Sequence, residues 1–167
     1  MNGSYIEDQT FTDRDFALKP LATGDYDACE FVNCNFSGVD VSGSNFMDCH
    51  FTSCNFSMAK MVKTGLKGVQ FKDCKLVGLH FEDCSDFNFE VRFENCNLDL
   101  SSFYKRGLKK TVFKNVTLRE CDFTDADLSG AVFDECDLTA TIFDNTNLEK
   151  ADLRTAHHFN INPANNK

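Results

Sequence analysis

Residues 121–140 read CDFTDADLSGAVFDECDLTA, with a large apolar residue at every fifth place: Phe123, Leu128, Phe133 and Leu138. Stepping outward by five keeps meeting such residues. The run begins at Phe93, passes Leu98, Phe103, Leu108, Phe113 and Leu118, and continues through Phe143, Leu148 and Leu153. An earlier run starts at Ile6 and passes Phe11, Phe16, Leu21, Tyr26, Phe31, Phe36, Val41, Phe46, Phe51, Phe56, Met61, Leu66, Phe71, Leu76 and Phe81. The two phases differ by two residues, and the slip falls within CSDFNFEVRF at 84–93. A period of five fits neither the 3.6 of a helix nor the 2 of a flat strand. Sustained over most of a chain, it marks a repeat architecture.

Each large apolar residue can be taken as the centre, i, of a five-residue unit. Cys29, Cys34, Cys49, Cys54, Cys74, Cys96, Cys121 and Cys136 then fall at i−2, and Cys84, the ninth cysteine, continues that phase one unit beyond Phe81, with Asp86 in the centre's place. Ala126, Ala131, Thr141 and Ala151 share that place. Free cysteine behaves as a small buried hydrophobe, so i−2 reads as an inward slot selected for size. Position i−1 is often Asp or Asn, short side chains that bond nearby backbone and suit a chain bending at every unit. The centres are expected to stack as a core ladder of Phe31, Phe36, Phe46, Phe51, Phe56, Phe71, Phe81, Phe93, Phe103, Phe113, Phe123, Phe133 and Phe143. Phe and Leu alternate strictly from Phe93 to Leu148, which in a four-sided coil puts Phe on one opposed pair of faces.

The chain has 167 residues, the size of one domain. Its aromatics are 18 Phe, 3 Tyr and no Trp, so phenylalanine serves one repeated purpose. There is no apolar run of membrane-spanning length, and MNGSYIEDQTF has neither a basic nor an apolar leader region. A cytoplasmic protein with no membrane partner is expected, its odd number of cysteines reduced. No cysteine or histidine pairs have zinc-site spacing, so buried thiols are expected rather than a metal centre or disulfides. No HExxH, GxSxG, phosphate-binding loop or GxGxxG motif occurs. The carboxylates recur by period, and His157 and His158 stand beyond the regular units. A non-enzymatic protein without catalytic residues or cofactors is expected.

The units CNFSG (34–38), ADLSG (126–130), CDLTA (136–140) and TNLEK (146–150) resemble the A(D/N)LXX consensus of the pentapeptide repeat family. The resemblance covers residues 6 to about 156. It implies an all-β fold, a right-handed quadrilateral β-helix in which four pentapeptides make one coil. Stacked at ~4.8 Å, the units make about seven coils, with one register slip near residues 85–92. Residues 1–156 are expected to form the single solenoid. Its first coil should be irregular and cap-like, because Gln9, Arg14 and Lys19 occupy i−2 slots that should be small. Residues 157–167 are expected to form a capping tail in which Phe159 and Ile161 leave the five-residue phase.

Charge is unevenly distributed. Residues 1–59 carry a net −7, residues 60–114 a net +4 and residues 115–167 a net −6. The acidic end, with Asp122, Asp125, Asp127, Asp134, Glu135, Asp137, Asp144 and Asp152, is the candidate partner-binding surface. Such an end repels nucleic acid and attracts a basic groove. All are expected to point outward. FENCNLDLSSFYKRGLKKTVFKN (93–115), the preceding slip and the terminal FNINPANNK (159–167) resemble the Qnr-type quinolone-resistance and microcin-immunity pentapeptide proteins. That resemblance implies a rod that mimics duplex DNA, docks on DNA gyrase or topoisomerase IV and protects it from poisons, binding no nucleic acid itself. It places a short projecting loop at the slip, with Phe87 and Phe89 as contact residues. It also implies a homodimer through the C-terminal end, where the group's tail continues into a dimerising helix. The basic patch of Lys105, Arg106, Lys109, Lys110 and Lys114 departs from a uniformly acidic mimic. The alternative is a structural or interaction solenoid with an unrelated protein partner.

Overall fold

The computed structural model describes residues 3–167. With the side chains of i−2 and i both turned inward, each unit spans one side of the core, and the chain must then bend. It bends at i+2, where the backbone is left-handed: φ is 50° at Asp48, 57° at Lys63, 58° at Lys110, 52° at Glu135 and 66° at Gly38. The bend therefore sits three residues beyond the Asp and Asn at i−1. Those side chains tie the approach to it. Their Oδ1 atoms accept the i+1 backbone N–H, as in Ser37 to Asn35 (3.0 Å), Asp99 to Asn97 (2.9 Å) and Thr124 to Asp122 (2.8 Å).

Four quarter-turns bring the chain back above its start. Strands β1 (Ser4–Glu7), β3 (Gly24–Asp27), β5 (Asn45–Met47) and β7 (Gly65–Lys67) form one parallel sheet, with Tyr26 beside Phe46 and Phe46 beside Leu66. A second parallel sheet runs β2 (Thr10–Thr12), β4 (Glu30–Val32), β6 (His50–Thr52), β8 (Val69–Lys72), β9 (Val91–Glu94), β10 (Val112–Lys114) and β11 (Val132–Asp134). The other two sides are joined by single parallel bridges, such as Asn35 to Asn55 and Asp122 to Ile142. Pairing is offset by 20 residues except across the slip, where Val69 pairs with Val91. The result is a four-sided β-solenoid. Its faces are centred on Tyr26, Phe31, Phe36 and Val41 in the second coil, called here the first to fourth faces. Coils occupy residues 4–23, 24–43, 44–63, 64–83, 84–105, 106–125 and 126–145, and an eighth runs from 146. No described helix is long and apolar enough to cross a membrane.

All thirteen phenylalanines of the expected ladder are buried. From coil 5 onward they fill the second and fourth faces, as the strict alternation requires. Rings on one face stack between coils, 5.0 Å apart for Phe103 and Phe123 and 4.9 Å for Phe113 and Phe133. Rings on opposed faces meet edge to face, 6.1 Å and 89° for Phe103 and Phe113. Both arrangements suit the aromatic quadrupole.

All nine cysteines are free and buried. Size alone does not describe their slot. The thiol at i−2 donates to a carbonyl 23 residues earlier, as Cys49 does to Tyr26 O (3.3 Å), Cys54 to Phe31 O (3.3 Å) and Cys136 to Phe113 O (3.3 Å). The hydroxyls of Thr64, Thr141 and Thr146 make the same bond, to Val41 O, Leu118 O and Phe123 O. The slot selects small side chains, and most carry a donor. Burial pushes the thiols of Cys49, Cys121 and Cys136 up to about 12. Because the thiolate is the reactive species, negligible alkylation of the native protein is expected at pH 8, and nine fast-reacting thiols after denaturation. Mass spectrometry reads both; rapid native labelling would contradict the packing.

Both ends depart from the regular coil. The first coil is regular on its first two sides, where β1 and β2 pair in step with β3 and β4, and irregular beyond Asp15, as expected: Leu18 and Lys19 N–H donate back to Asp15 O (3.3 and 3.0 Å), and the side chains of Gln9, Arg14 and Lys19 turn out. Phe11 and Leu21 are left half-buried at its open side. Residues 157–167 form a partial coil: the coil pairing returns at His157 and Lys167, while among the described residues 159–165 make no backbone bond to the coil below and Ile161 packs against the core. His157 bridges Asp137, Leu148 N–H donates to Lys167 O (2.7 Å) and Lys167 N–H to Thr146 O (3.1 Å). This is the pairing of every earlier coil. The signal was in the sequence: Ala156, Ile161 and Asn166 fall on successive i−2 places, although His158 and Pro163 no longer supply large centres. Asn166 occupies its slot as a donor, reaching Phe143 O (3.0 Å).

Candidate functional site

The eight candidate acidic residues, all in coils 6 to 8, point outward, and none is buried. They do not form one patch. Asp122, Asp125 and Asp144 lie on the fourth face or at its edge, Asp127 on the first, Asp134, Glu135 and Asp152 on the second, and Asp137 on the third. The arrangement is a collar around the rod. Four members are offset by cations: Asp127 by Lys109 (3.4 Å), Asp137 by Arg119 (2.7 Å) and His158 (3.3 Å), Asp152 by Arg154 (2.8 Å) and Glu135 by His157 (3.5 Å). Hydrogen bonds from Thr139, with Arg119 beside it, hold the Asp137 carboxyl well below the usual carboxylate range, and Arg154 holds Asp152 at about 2. Asp134 accepts from the Thr155 hydroxyl (3.0 Å), Asp125 from Asn145 Nδ2 (2.5 Å) and Asp122 from Thr124 N–H. Among the described residues, Asp122, Asp125, Asp134 and Asp144 have no cation in ion-pair range, and three of these four lie on or beside the fourth face. Lys114 and Asp134 are register neighbours, as a column of residues spaced by twenty requires.

The slip is built around Arg106. This residue occupies an i−2 place, where its long side chain fits because the preceding coil carries two extra residues. It is buried, 3% exposed, and so is not part of the surface patch expected for it. Its Nε donates to Phe81 O (2.7 Å), and its terminal nitrogens donate to Cys84 O (2.5 Å), Ser85 O (3.2 Å) and the Asp86 carboxylate. The guanidinium lies 4.4 Å from the centre of the Phe89 ring, a cation–π contact. The two candidate loop residues therefore part company. Phe87 projects, 79% exposed, beside a cavity of about 240 Å³ lined in part by Asn45, Met47, Gly65 and Lys67. Phe89 turns inward and packs on Phe81 (6.4 Å), filling the axial place that the slip would leave empty, so it does not present a contact surface.

The remaining patch residues are exposed but spread out: Lys105 at the edge of the fourth face beside Tyr104 (5.0 Å), Lys109 and Lys110 on the first and Lys114 on the second. Among the described residues no group of three His, Cys, Asp or Glu side chains is placed to hold a metal ion. What the molecule offers chemically is a rigid exterior with charges at fixed spacing.

The family model described as a pentapeptide repeat region matches residues 25–88 and 86–162. The chain belongs to the pentapeptide repeat family. The junction of the two matches falls on the slip of this pentapeptide repeat protein. Among solved structures it is similar in fold to trypsin-treated QnrB1, described as a plasmid-mediated fluoroquinolone resistance protein. The two are 20% identical over 96% of this chain and 88% of that one, with a TM-score of 0.49. It is also similar to HetL, a pentapeptide repeat protein involved in heterocyst differentiation regulation from the cyanobacterium Nostoc sp. strain PCC 7120. Here identity is 19% over 93% of this chain and 85% of that one, with a TM-score of 0.39. A pentapeptide repeat protein of the Arabidopsis thaliana thylakoid lumen is 18% identical over 78% and 68% of the two chains, with a TM-score of 0.31. No curated protein matches.

Proposed function

We propose that this pentapeptide repeat protein acts without catalysis, as a cytoplasmic protein whose acidic C-terminal collar mimics DNA and docks in the basic groove of DNA gyrase or topoisomerase IV. The observation that carries the reading is the cluster of Asp122, Asp125 and Asp144. Three carboxylates with no cation within 4 Å, Asp125 lying one coil above Lys105, stand on or beside one face of a rigid rod, at heights set by the coil spacing. Long-range attraction from such a face favours a basic groove and weakens with salt. Purified gyrase offers the test. Increasing amounts of the protein should inhibit supercoiling or rescue it from a fluoroquinolone, and the effect should fall between low and high salt. No effect at any ratio would end the reading.

A second reading is an interaction solenoid with an unrelated protein partner. It is favoured by the spread of the other five acidic residues over three faces, four of them already paired with cations. In that reading the collar serves solubility, and partner contacts lie elsewhere on the rod.

A further inference from the structure

The acidic stretch of the fourth face is not uniformly polar. Asp122 is bridged in register to Ser102 below it and to Ile142 above it, and Tyr104 and Asp144 stand on the other side of the same column of centres, Phe103, Phe123 and Phe143. Ile142 is 50% exposed and Tyr104 38%. Both point outward, because the buried rings at 103, 123 and 143 already fill the axis. Two coils and the width of one column separate them, a distance of roughly 12 Å, with Asp122 and Thr124 between.

Ile142 also forgoes a bond that its place normally makes. At i−1 in nearby units, Asp122, Asp127, Asp137, Asn147 and Asp152 each accept the i+1 backbone N–H at 2.8–3.1 Å. Isoleucine has no acceptor to offer, and its side chain adds nothing to the core. A half-exposed aliphatic residue and a tyrosine inside a ring of carboxylates find their use in contact with something outside the chain.

On the reading that a basic protein groove takes up this face, we propose that Tyr104 and Ile142 are its apolar anchors, and that the partner's groove holds an apolar pocket between its cations to receive them. Charge names the occupant. Glu120, Asp122, Asp125 and Asp144 surround the anchors, and among the described residues none of the four is in an ion pair. Lys105 is the one cation described on this stretch, and its ammonium lies over the Tyr104 ring, 5.0 Å from the centre. The same face of a second copy would set like charge against like, and nucleic acid or an anionic membrane surface would be repelled. A protein groove lined with arginine or lysine is attracted. The two kinds of residue then divide the work: exposed carboxylates steer the encounter and fix its register, while a tyrosine and an aliphatic residue at the centre of the contact slow its dissociation.

Gyrase supercoiling titrated at two salt concentrations tests the anchors separately from the charge. Tyr104→Ser with Ile142→Thr removes the apolar surface and leaves every carboxylate in place, and threonine already occupies an i−1 place at Thr117. At least tenfold more of this variant should be needed for the native effect at both salt concentrations, with the native salt dependence and an unchanged melting temperature. Val62→Thr, at a site 48% exposed on the same face two coils below Tyr104, should act as the native chain does. A double variant as potent as the native chain would overturn the inference and leave the proposed function standing, as would an equal loss from Val62→Thr. A native chain without effect would end both.

Discussion

Arg106→Ala is expected to destabilise the fold by about 3 kcal/mol. The substitution leaves the carbonyls of Phe81, Cys84 and Ser85 without their donor in a place that little water reaches, and each orphaned acceptor costs roughly 1–3 kcal/mol. It also opens a void beneath Phe89. The ion pair adds little, because Asp86 is exposed and screened. Arg106→Lys should recover less than half, since an ammonium cannot span carbonyls on three residues with a planar fork. Urea unfolding measures both variants. A loss under about 1 kcal/mol for the alanine variant would mean that the slip holds its own shape.

Phe113→Ala is expected to have the largest effect of any single core change, about 3–5 kcal/mol. Its ring is fully buried and stacks between Phe93 (5.5 Å) and Phe133 (4.9 Å), with Phe103 and Phe123 edge-on. Because coils contact only their neighbours, a cavity at the middle of the rod weakens the coupling of the two halves. Phe143→Ala should cost less. That ring stacks on Phe123 alone, and the next coil offers Pro163 at the matching place. Equal losses at the two positions would contradict a stack whose stability is summed from neighbour to neighbour.

The solenoid was legible because one period governs the chain. The inward identity of i and i−2 follows from where large and small residues recur, while the four sides, and with them the placement of Phe on opposed faces, were implied by the family resemblance. The bends were misplaced in sequence reasoning, since left-handed i+2 positions hold Lys, Glu, Leu and Met beside the more usual Gly, Asn and Asp, which blurs their compositional mark. Asp and Asn at i−1 drew attention to the wrong residue. Arg106 was misread because a lysine-rich neighbourhood hid one i−2 position, and only the slip beneath it makes room for so large a side chain. The C-terminal coil was missed because its pairing survives after its large centres end. As for the acidic collar, sequence reasoning placed its members outward, as they are. Their distribution over four faces and their ion pairs depend on which corner each unit reaches, and that needs the coil.

The central claim is that function resides in unneutralised charge on one face, carried by a core with no chemistry of its own. Its most direct measurement is gyrase supercoiling titrated with the native chain and with a triple variant, Asp122→Asn, Asp125→Asn and Asp144→Asn. Asparagine keeps the acceptor that Asp122 offers to Thr124 N–H and removes only charge. The native chain is predicted to inhibit or protect the enzyme, and the variant to lose that effect at an unchanged melting temperature. An equal effect from both, with the variant fully folded, would contradict the account.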